Sequence, residues 1–345
     1  MKGMTGAEAE EVRDFLDDSI NPLFFFHDDP DGFCSYLLLY RLIMRGHGIM
    51  VKSVPSVDSR YYAKVKEYRP DRIFVSDLYN VEQDFIDRAK TPVCWLDHHG
   101  PNPKKGVRYY NPRLANKNDN IPASVMAYEV NQKDLWLAAI GAIGDWHWPW
   151  FAEEFKRRYP SLLPAKVKNP DDALFATPLG RLVFVFSFML KTRTSLAMQC
   201  IEHIAGMDGP EELMEAKTER AVFIMDLFSK VNRKYEDLLS EARQTKPKDG
   251  IICWIYAGSK DSFSKDIANR MLYDNQDMVI IVGREKDGLV KMSMRARNFI
   301  LPPVLEQALQ GIEGHGGGHE HACGAQVRAD QFKTFLEQFR KAMPK

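Results

Sequence analysis

The sequence predicts an α/β fold: a parallel-sheet N-terminal domain over residues 1–155, a helical connector over 156–245 and a smaller α/β C-terminal domain over 246–345. Three observations predict it. Short apolar runs alternate with helical patterns through the first 145 residues, the mark of a parallel sheet covered by helices. Strand signals fade from about Phe151 to Arg243, where long helical patterns take over. They return after the charged break Lys246-Pro247 to Gly250.

The elements follow in order. Residues 7–19 carry a short amphipathic helical pattern. Leu23–Phe26 is an apolar strand run, and Tyr36–Met44 reads as a helix ended by Gly46 and Gly48. Met50–Val54 fits the next strand. Ile73–Ser76 and Val93–Leu96 are further strand runs, each followed by an aspartate, with a helical stretch, Val81–Ala89, between them. Ala123–Val130 and Leu135–Ile143 continue the helical pattern up to Asp145. The most apolar run, Leu182–Leu190, is far short of the roughly 20 residues a membrane span needs and reads as a buried helix. Past the break, Ile251–Tyr256, Met278–Val282 and Leu289–Met294 look like strands around a helix at Ser264–Leu272. There is no internal repeat or low-complexity tract.

Composition narrows the class. With 45% hydrophobic and 11% aromatic residues, the 345-residue chain has ample material for packed cores and is a poor candidate for disorder. Lys+Arg and Asp+Glu both number 47, so no broad electrostatic field favours duplex DNA, although a local basic groove stays open. The cysteines (Cys34, Cys94, Cys200, Cys253, Cys323) are scattered, odd in number and form no C-x-x-C pair. A reducing, cytoplasmic setting fits them better than a disulfide framework. The acidic start MKGMTGAEAEEVRDFLDD lacks the apolar core of a signal peptide.

The chemistry gathers where apolar runs end. FFFHDDPD, IFVSD, VCWLDHH and AAIGAIGD each place a carboxylate at the C-terminal end of an apolar run. Strand C-termini line one edge of an open parallel sheet, where ligands bind. Asp29, Asp31, Asp77, His98 and Asp145 are therefore expected to converge. In an extended segment alternate side chains share a face, so His27, Asp29 and Asp31 would point together and Asp28 away. Several carboxylates in one cleft repel and are costly to desolvate unless cations neutralise them. A mixed Asp/His set suits divalent transition metals, Mn²⁺ above all, and the supply suffices for two ions bridged by one Asp. Such a pair can activate water and clamp both oxygens of an in-line phosphoryl displacement. Singly, an Asp after a strand is as well explained as a turn or N-cap residue, and HDDPDG alone reads equally as an acidic turn. Asp97-His98-His99-Gly100 is more specific, and the four sites in this order point to metal.

The C-terminal GHGGGHEHACGAQV is a second signal. Gly316, Gly317 and Gly318 expose backbone N–H groups and let a phosphate approach. His319, with Ser293 and Arg295 of KMSMRAR, can add anion contacts. Two other readings stand beside this one: a separate zinc site from His315, His319, His321 and Cys323, and a flexible glycine-rich loop. The aromatic segment Trp146 to Trp150 is compatible with base stacking or with ordinary packing.

These motifs resemble a known family. HxDxDG (His27 to Gly32), the aspartate of VSD (Asp77), DHH (Asp97-His98-His99) and the GD aspartate (Asp145) look like the four motifs of the DHH phosphoesterase superfamily. GGGH (Gly316 to His319), after SMR, looks like the signature of the DHH-associated C-terminal domain. The HxDxDG form is most like the archaeal RecJ-like nucleases; members with HxxxDxDA place their histidine differently. The resemblance implies a two-domain phosphoesterase with two Mn²⁺ ions, replaceable by Mg²⁺ or Co²⁺, in a cleft between the domains. It implies Asp29, Asp31, Asp77, His98 and Asp145 as metal ligands, with Asp77 bridging and His27 as a further ligand. Asp97 would orient the ligand shell. His99, Arg295 and His319 would contact the scissile phosphate, with Ser293, Gly316, Gly317 and Gly318 in substrate binding. Ser124 would lie on a helix facing the site. The expected activity is exonucleolytic trimming of single-stranded nucleic acid or short oligonucleotides to mononucleotides, with a replication or repair protein as a conceivable partner. The competing expectations are a phosphatase or phosphodiesterase of small molecules (nucleoside bisphosphates, linear or cyclic dinucleotides, polyphosphate) and a non-catalytic scaffold that binds nucleic acid or a replication partner.

Overall fold

The computed structural model describes residues 1–52, 55–258 and 262–344, which divide into two units, Met1–Ser229 and Lys230–Lys345. In the first, α1 (Gly6–Asp17) precedes β1 (Leu23–His27), α2 (Pro30–Ile43), β2 (His47–Val51), β3 (Ser56–Val57) and α3 (Tyr62–Tyr68). Next come β4 (Ile73–Ser76), β5 (Asn80–Val81), α4 (Gln83–Ala89), β6 (Val93–Leu96) and β7 (Val107–Tyr110). Helices α5 (Ala123–Asn131), α6 (Leu135–Gly144), α7 (Ala152–Arg158), α8 (Pro170–Ala176), α9 (Pro178–Leu190), α10 (Thr194–Ala205) and α11 (Glu211–Glu215) complete it. The long α12 (Glu219–Arg243) crosses into the second unit.

The main sheet of the first unit is parallel, in the order β2-β1-β4-β6-β7. Its central strands are buried on both faces, which is why they read as unbroken apolar runs. Phe25 packs with Val51, Val75, Trp95 and Phe85 on one face. Phe24 and Phe26 turn to the other face, against Phe74 and Tyr36. Helix α2 starts six residues before the expected Tyr36, because Asp29 caps it and Pro30 occupies its first turn. The strand expected over Met50–Val54 runs over His47–Val51; Ser53 and Val54 lie outside the described residues. The apolar helix α9 is a core helix, as its composition predicts, with Leu182, Val185, Phe186 and Phe188 all buried within the protein. No single helix among the described residues is long and apolar enough to cross a membrane.

The second unit holds β8 (Ile251–Ala257), α13 (Ser264–Asp274), β9 (Val279–Lys286), β10 (Leu289–Arg295), α14 (Leu301–Ala308), β11 (Gly314–His319), β12 (Ala322–Arg328) and α15 (Phe332–Ala342). Its sheet has the order β11-β12-β10-β9-β8, antiparallel except for the β8–β9 pair. One face carries Ile281, Met292, Met294, Cys323, Ala325 and Val327 into a core closed by Leu305, Phe335 and Phe339. The α/β class and the smaller C-terminal sheet domain are as the sequence predicts. The glycine run is an edge strand of that sheet rather than a flexible loop.

Candidate metal centre

Four chain segments bring their polar ends to the C-terminal edge of the parallel sheet. His27 ends β1, Asp29 caps α2 and Asp31 lies in its first turn. Asp77 follows β4 in a left-handed conformation (φ 57°), a strained backbone for a residue with a side chain. Asp97, His98 and His99 follow β6, and Asp145 caps the C-terminus of α6. The chain stays extended as far as Asp29 and turns helical at Pro30, so the expected shared face forms for His27 and Asp29 but not for Asp31, which lies in the first turn of α2. The turn into α2 sends these residues to two different sets of partners.

In the first set, His27 Nδ1 lies 3.0 Å from Asp29 Oδ2 and 3.2 Å from Asp77 Oδ2. In the second, His98 Nε2 lies 3.9 Å from Asp31 Oδ2, and its Nδ1 lies 3.7 Å from Asp145 Oδ2. The sets are joined by His98 Nε2 at 3.2 Å from Asp77 Oδ1. The ligand atoms of His27, Asp29 and Asp77 lie within 4.8 Å of one another, as do those of Asp31, His98 and Asp145, and those of Asp77, His98 and His99. One carboxylate, Asp77, thus presents Oδ2 to His27 and Oδ1 to His98 and, at 3.9 Å, to His99.

The electrostatics follow from burial. Asp31 is fully enclosed, and its carboxyl is pushed well above the usual range by burial and then by the charge of Asp77. Burial alone would lower His27 and His98. The surrounding carboxylates outweigh it and push both imidazoles well up, Asp29 dominating at His27 and Asp77 and Asp145 at His98. The crowding of negative charge favours protons on Asp31, His27 and His98. A divalent cation would replace them, so the donor set and its charge fit the implied metal pair.

Hydrogen-bonding neighbours hold the acidic groups in place. Asp31 accepts bonds from Ala123 N and Ser124 N, both at 2.9 Å, and from Ser124 Oγ. The buried Asp97 accepts from His99 Nδ1 at 2.7 Å, Tyr109 Oη at 3.0 Å and Asn111 Nδ2 at 3.2 Å. Asn120 Oδ1 sits 2.9 Å from His98 Nδ1. Sequence reasoning missed Tyr109, Asn111 and Asn120. Only their place in the segments leading away from the DHH motif signals them. Of the aromatics after Asp145, Trp146 packs on Phe175 and Trp150 on Tyr128 and Phe151.

In the second unit, strand register decides which residues of the C-terminal motifs share a face. Ser293 pairs with Gly324, and Gly324 with Gly317. Arg295 pairs with Ala322, and Ala322 with His319. These side chains point away from the core. A cavity of about 400 Å³ opens on this face, lined among others by Lys265, Lys291, Ser293, His315, Gly317 and Gln326. Gly316 also lines it, whereas Arg295, Gly318 and His319 lie outside its lining. Arg295 is partly buried, with Nε 2.5 Å from Asn269 Oδ1, and burial lowers its guanidinium to about 10. The separate zinc site is overturned. Cys323 points into the core while His315 and His319 point to the opposite face, and among the described residues the groups that could hold a metal ion all lie in the first unit.

Residues 251–345 match the family model of the DHHA1 domain. No curated protein sequence matches the chain. Among solved structures, the fold is similar to RecJ of Thermus thermophilus in complex with Mn²⁺, at 17% identity and a TM-score of 0.66. That match covers 99% of this chain but 55% of the other, so the chain spans about half of that RecJ. Exonuclease RecJ bound to manganese matches at 15% identity and a TM-score of 0.63, over 100% of this chain and 96% of that one. The pGpG-specific phosphodiesterase PggH of Vibrio cholerae matches at 15% identity and a TM-score of 0.50, over 93% and 98%. The chain has a RecJ-like two-domain fold that ends in a DHHA1 domain, in keeping with the superfamily its motifs resemble.

Proposed function

We propose that this RecJ-like, DHHA1-bearing chain is a manganese-dependent phosphodiesterase that trims single-stranded DNA or RNA, or short oligonucleotides, to mononucleotides. The observation that carries the reading is the pair of ligand sets joined through Asp77. His27, Asp29 and Asp77 would hold one ion, and Asp31, His98 and Asp145 the other. When bound, the ions supply an activated water and offset charge on the phosphoryl oxygens. The chain's own groups do the rest. Asp97 holds the Nδ1 proton of His99 and so turns Nε2 toward the phosphate, where a proton on it can be donated to a phosphoryl oxygen. Arg295 and His319 are assigned to the phosphate, and Ser293 with Gly316, Gly317 and Gly318 to the remainder of the substrate. The RecJ structures solved with manganese support the choice of ion.

A second reading, hydrolysis of linear dinucleotides, is favoured by the likeness to PggH and by a cavity in the range of small-ligand sites. One assay separates the two. End-labelled DNA and RNA ladders with Mn²⁺ should shorten stepwise to mononucleotides, and Asp77→Ala should reduce the rate at least ~100-fold, as expected for loss of a group shared by both ions. Oligonucleotides that stay intact at every length while a dinucleotide turns over would replace the first reading with the second.

A further inference from the structure

Both ring nitrogens of His98 face a carboxylate within 4 Å: Nε2 faces Asp77 and Asp31, and Nδ1 faces Asp145. The acidic residues therefore do not select which nitrogen binds a cation. Asn120 does. Its Oδ1 lies 2.9 Å from His98 Nδ1, closer than Asp145 at 3.7 Å. The orientation of the amide is not arbitrary, because the same Oδ1 receives Arg113 Nη2 at 2.8 Å, and a guanidinium only donates. Asn120 Oδ1 is thus an acceptor, and the His98 nitrogen facing it must carry hydrogen. Its position is fixed on both sides. Asp119 N bonds Asn116 O before it, and Ala123 N and Ser124 N bond Asp31 after it.

We propose that Asn120, oriented by Arg113, is a positioning residue that keeps the proton of His98 on Nδ1 and leaves Nε2, the nitrogen facing Asp77 and Asp31, as the cation ligand. The inference rests on the metal-binding reading above. Partners of this kind fix ring orientation and basicity, and their loss typically weakens metal binding 10–100-fold. The segment Asn120 to Ser124 then serves two of the three residues of the second set, His98 through its first side chain and Asp31 through its last.

Calorimetric titration of Mn²⁺ tests this on the full chain. Asn120→Ala should bind ~10–100-fold more weakly than wild type, with an unchanged thermal midpoint in the absence of metal. Asn120→Asp keeps an acceptor and should stay within about threefold of wild type. Wild-type affinity in Asn120→Ala, or equal weakness in both variants, overturns the inference. Should Asn120→Ala fail to fold, long-range ¹⁵N–¹H NMR of wild type loaded with diamagnetic Zn²⁺ decides. A protonated Nδ1 on His98 supports the inference, and a metal-bound Nδ1 overturns it. A wild-type protein that takes up no Mn²⁺ is a different result, which removes the metal reading and the inference together.

Discussion

Asp71 and Asp77 flank β4, and their surroundings assign them opposite work. Asp71 accepts Ile20 N at 2.7 Å and Asn21 N at 2.8 Å, tying the entry of β1 to that of β4. Its slight burial would raise its carboxyl, but these backbone donors outweigh it and hold the group below the usual range. Asp77 is buried between two histidines and close to further carboxylates, an arrangement that makes sense with a cation. For Asp71 the sign of the pH effect is fixed. A depressed carboxyl stabilises the fold fully above its unfolded value of about 3.9 and loses that contribution as pH falls through the folded value. Asp71→Asn should cost about 1–2 kcal/mol at pH 7 in urea unfolding: less than the roughly 1.5–3 kcal/mol of a hydrogen bond to a charged acceptor, because Asn keeps an acceptor oxygen and the site is partly exposed. The gap to wild type should narrow below about pH 4. A gap that stays constant down to about pH 2 would mean that the charge of Asp71 contributes nothing. At this scale the sequence exposes the charged residues, because an aspartate at the end of an apolar run stands out. Tyr109, Asn111 and Asn120 do not stand out, since isolated neutral polar side chains carry no periodicity and turns are full of them.

At the scale of elements, the same local chemistry explains what was legible and what was not. The central strands are readable because both faces are buried. The start of α2 is hidden because Pro30 and Gly32 look like breakers, whereas proline suits a first helical turn. Strand β11 is hidden because glycine is depleted in strands. Its glycines also differ in what they require. A Cβ on Gly316 would meet the Ala325 side chain at 2.8 Å and Gly324 O at 2.9 Å, and Gly318 has a φ of 150° with the Ala322 carbonyl against it. A Cβ on Gly317 would meet nothing within 4 Å, and one on Gly324 only Met292 O at 3.7 Å. Gly316 and Gly318 are therefore explained by packing, whereas packing does not require the bare Gly317–Gly324 pair, and under the proposed function it leaves room for a substrate on the cavity side. Gly317→Ala should leave the thermal midpoint unchanged and raise KM for oligonucleotides about tenfold or more. Gly318→Ala should destabilise by about 1–3 kcal/mol through backbone strain. A Gly317→Ala enzyme with wild-type KM would show that no substrate lies on that strand.

For the molecule as a whole, the division of labour is set by where cores and charges lie. Each unit has its own hydrophobic core, one around Phe25, Val75 and Trp95 and the other around Met292, Val327 and Phe335. Among the described residues, the groups of side chains that could hold a metal ion belong to the first unit alone. A ligand stabilises only what must be folded to bind it, by about 2.7 kcal/mol at a free concentration one hundred times Kd. Mn²⁺ should therefore slow amide hydrogen exchange in residues 1–229, most at the ends of β1, β4 and β6, and leave residues 251–345 as they were. Chelation should reverse the effect, and Asp77→Ala should abolish it without altering exchange in the second unit. Equal protection across both units would show that the cation's binding energy reaches the DHHA1 domain as well. The two sets of candidate residues would then behave as one thermodynamic site, and strength of metal binding would have to depend on Arg295 and His319 as well as on Asp77.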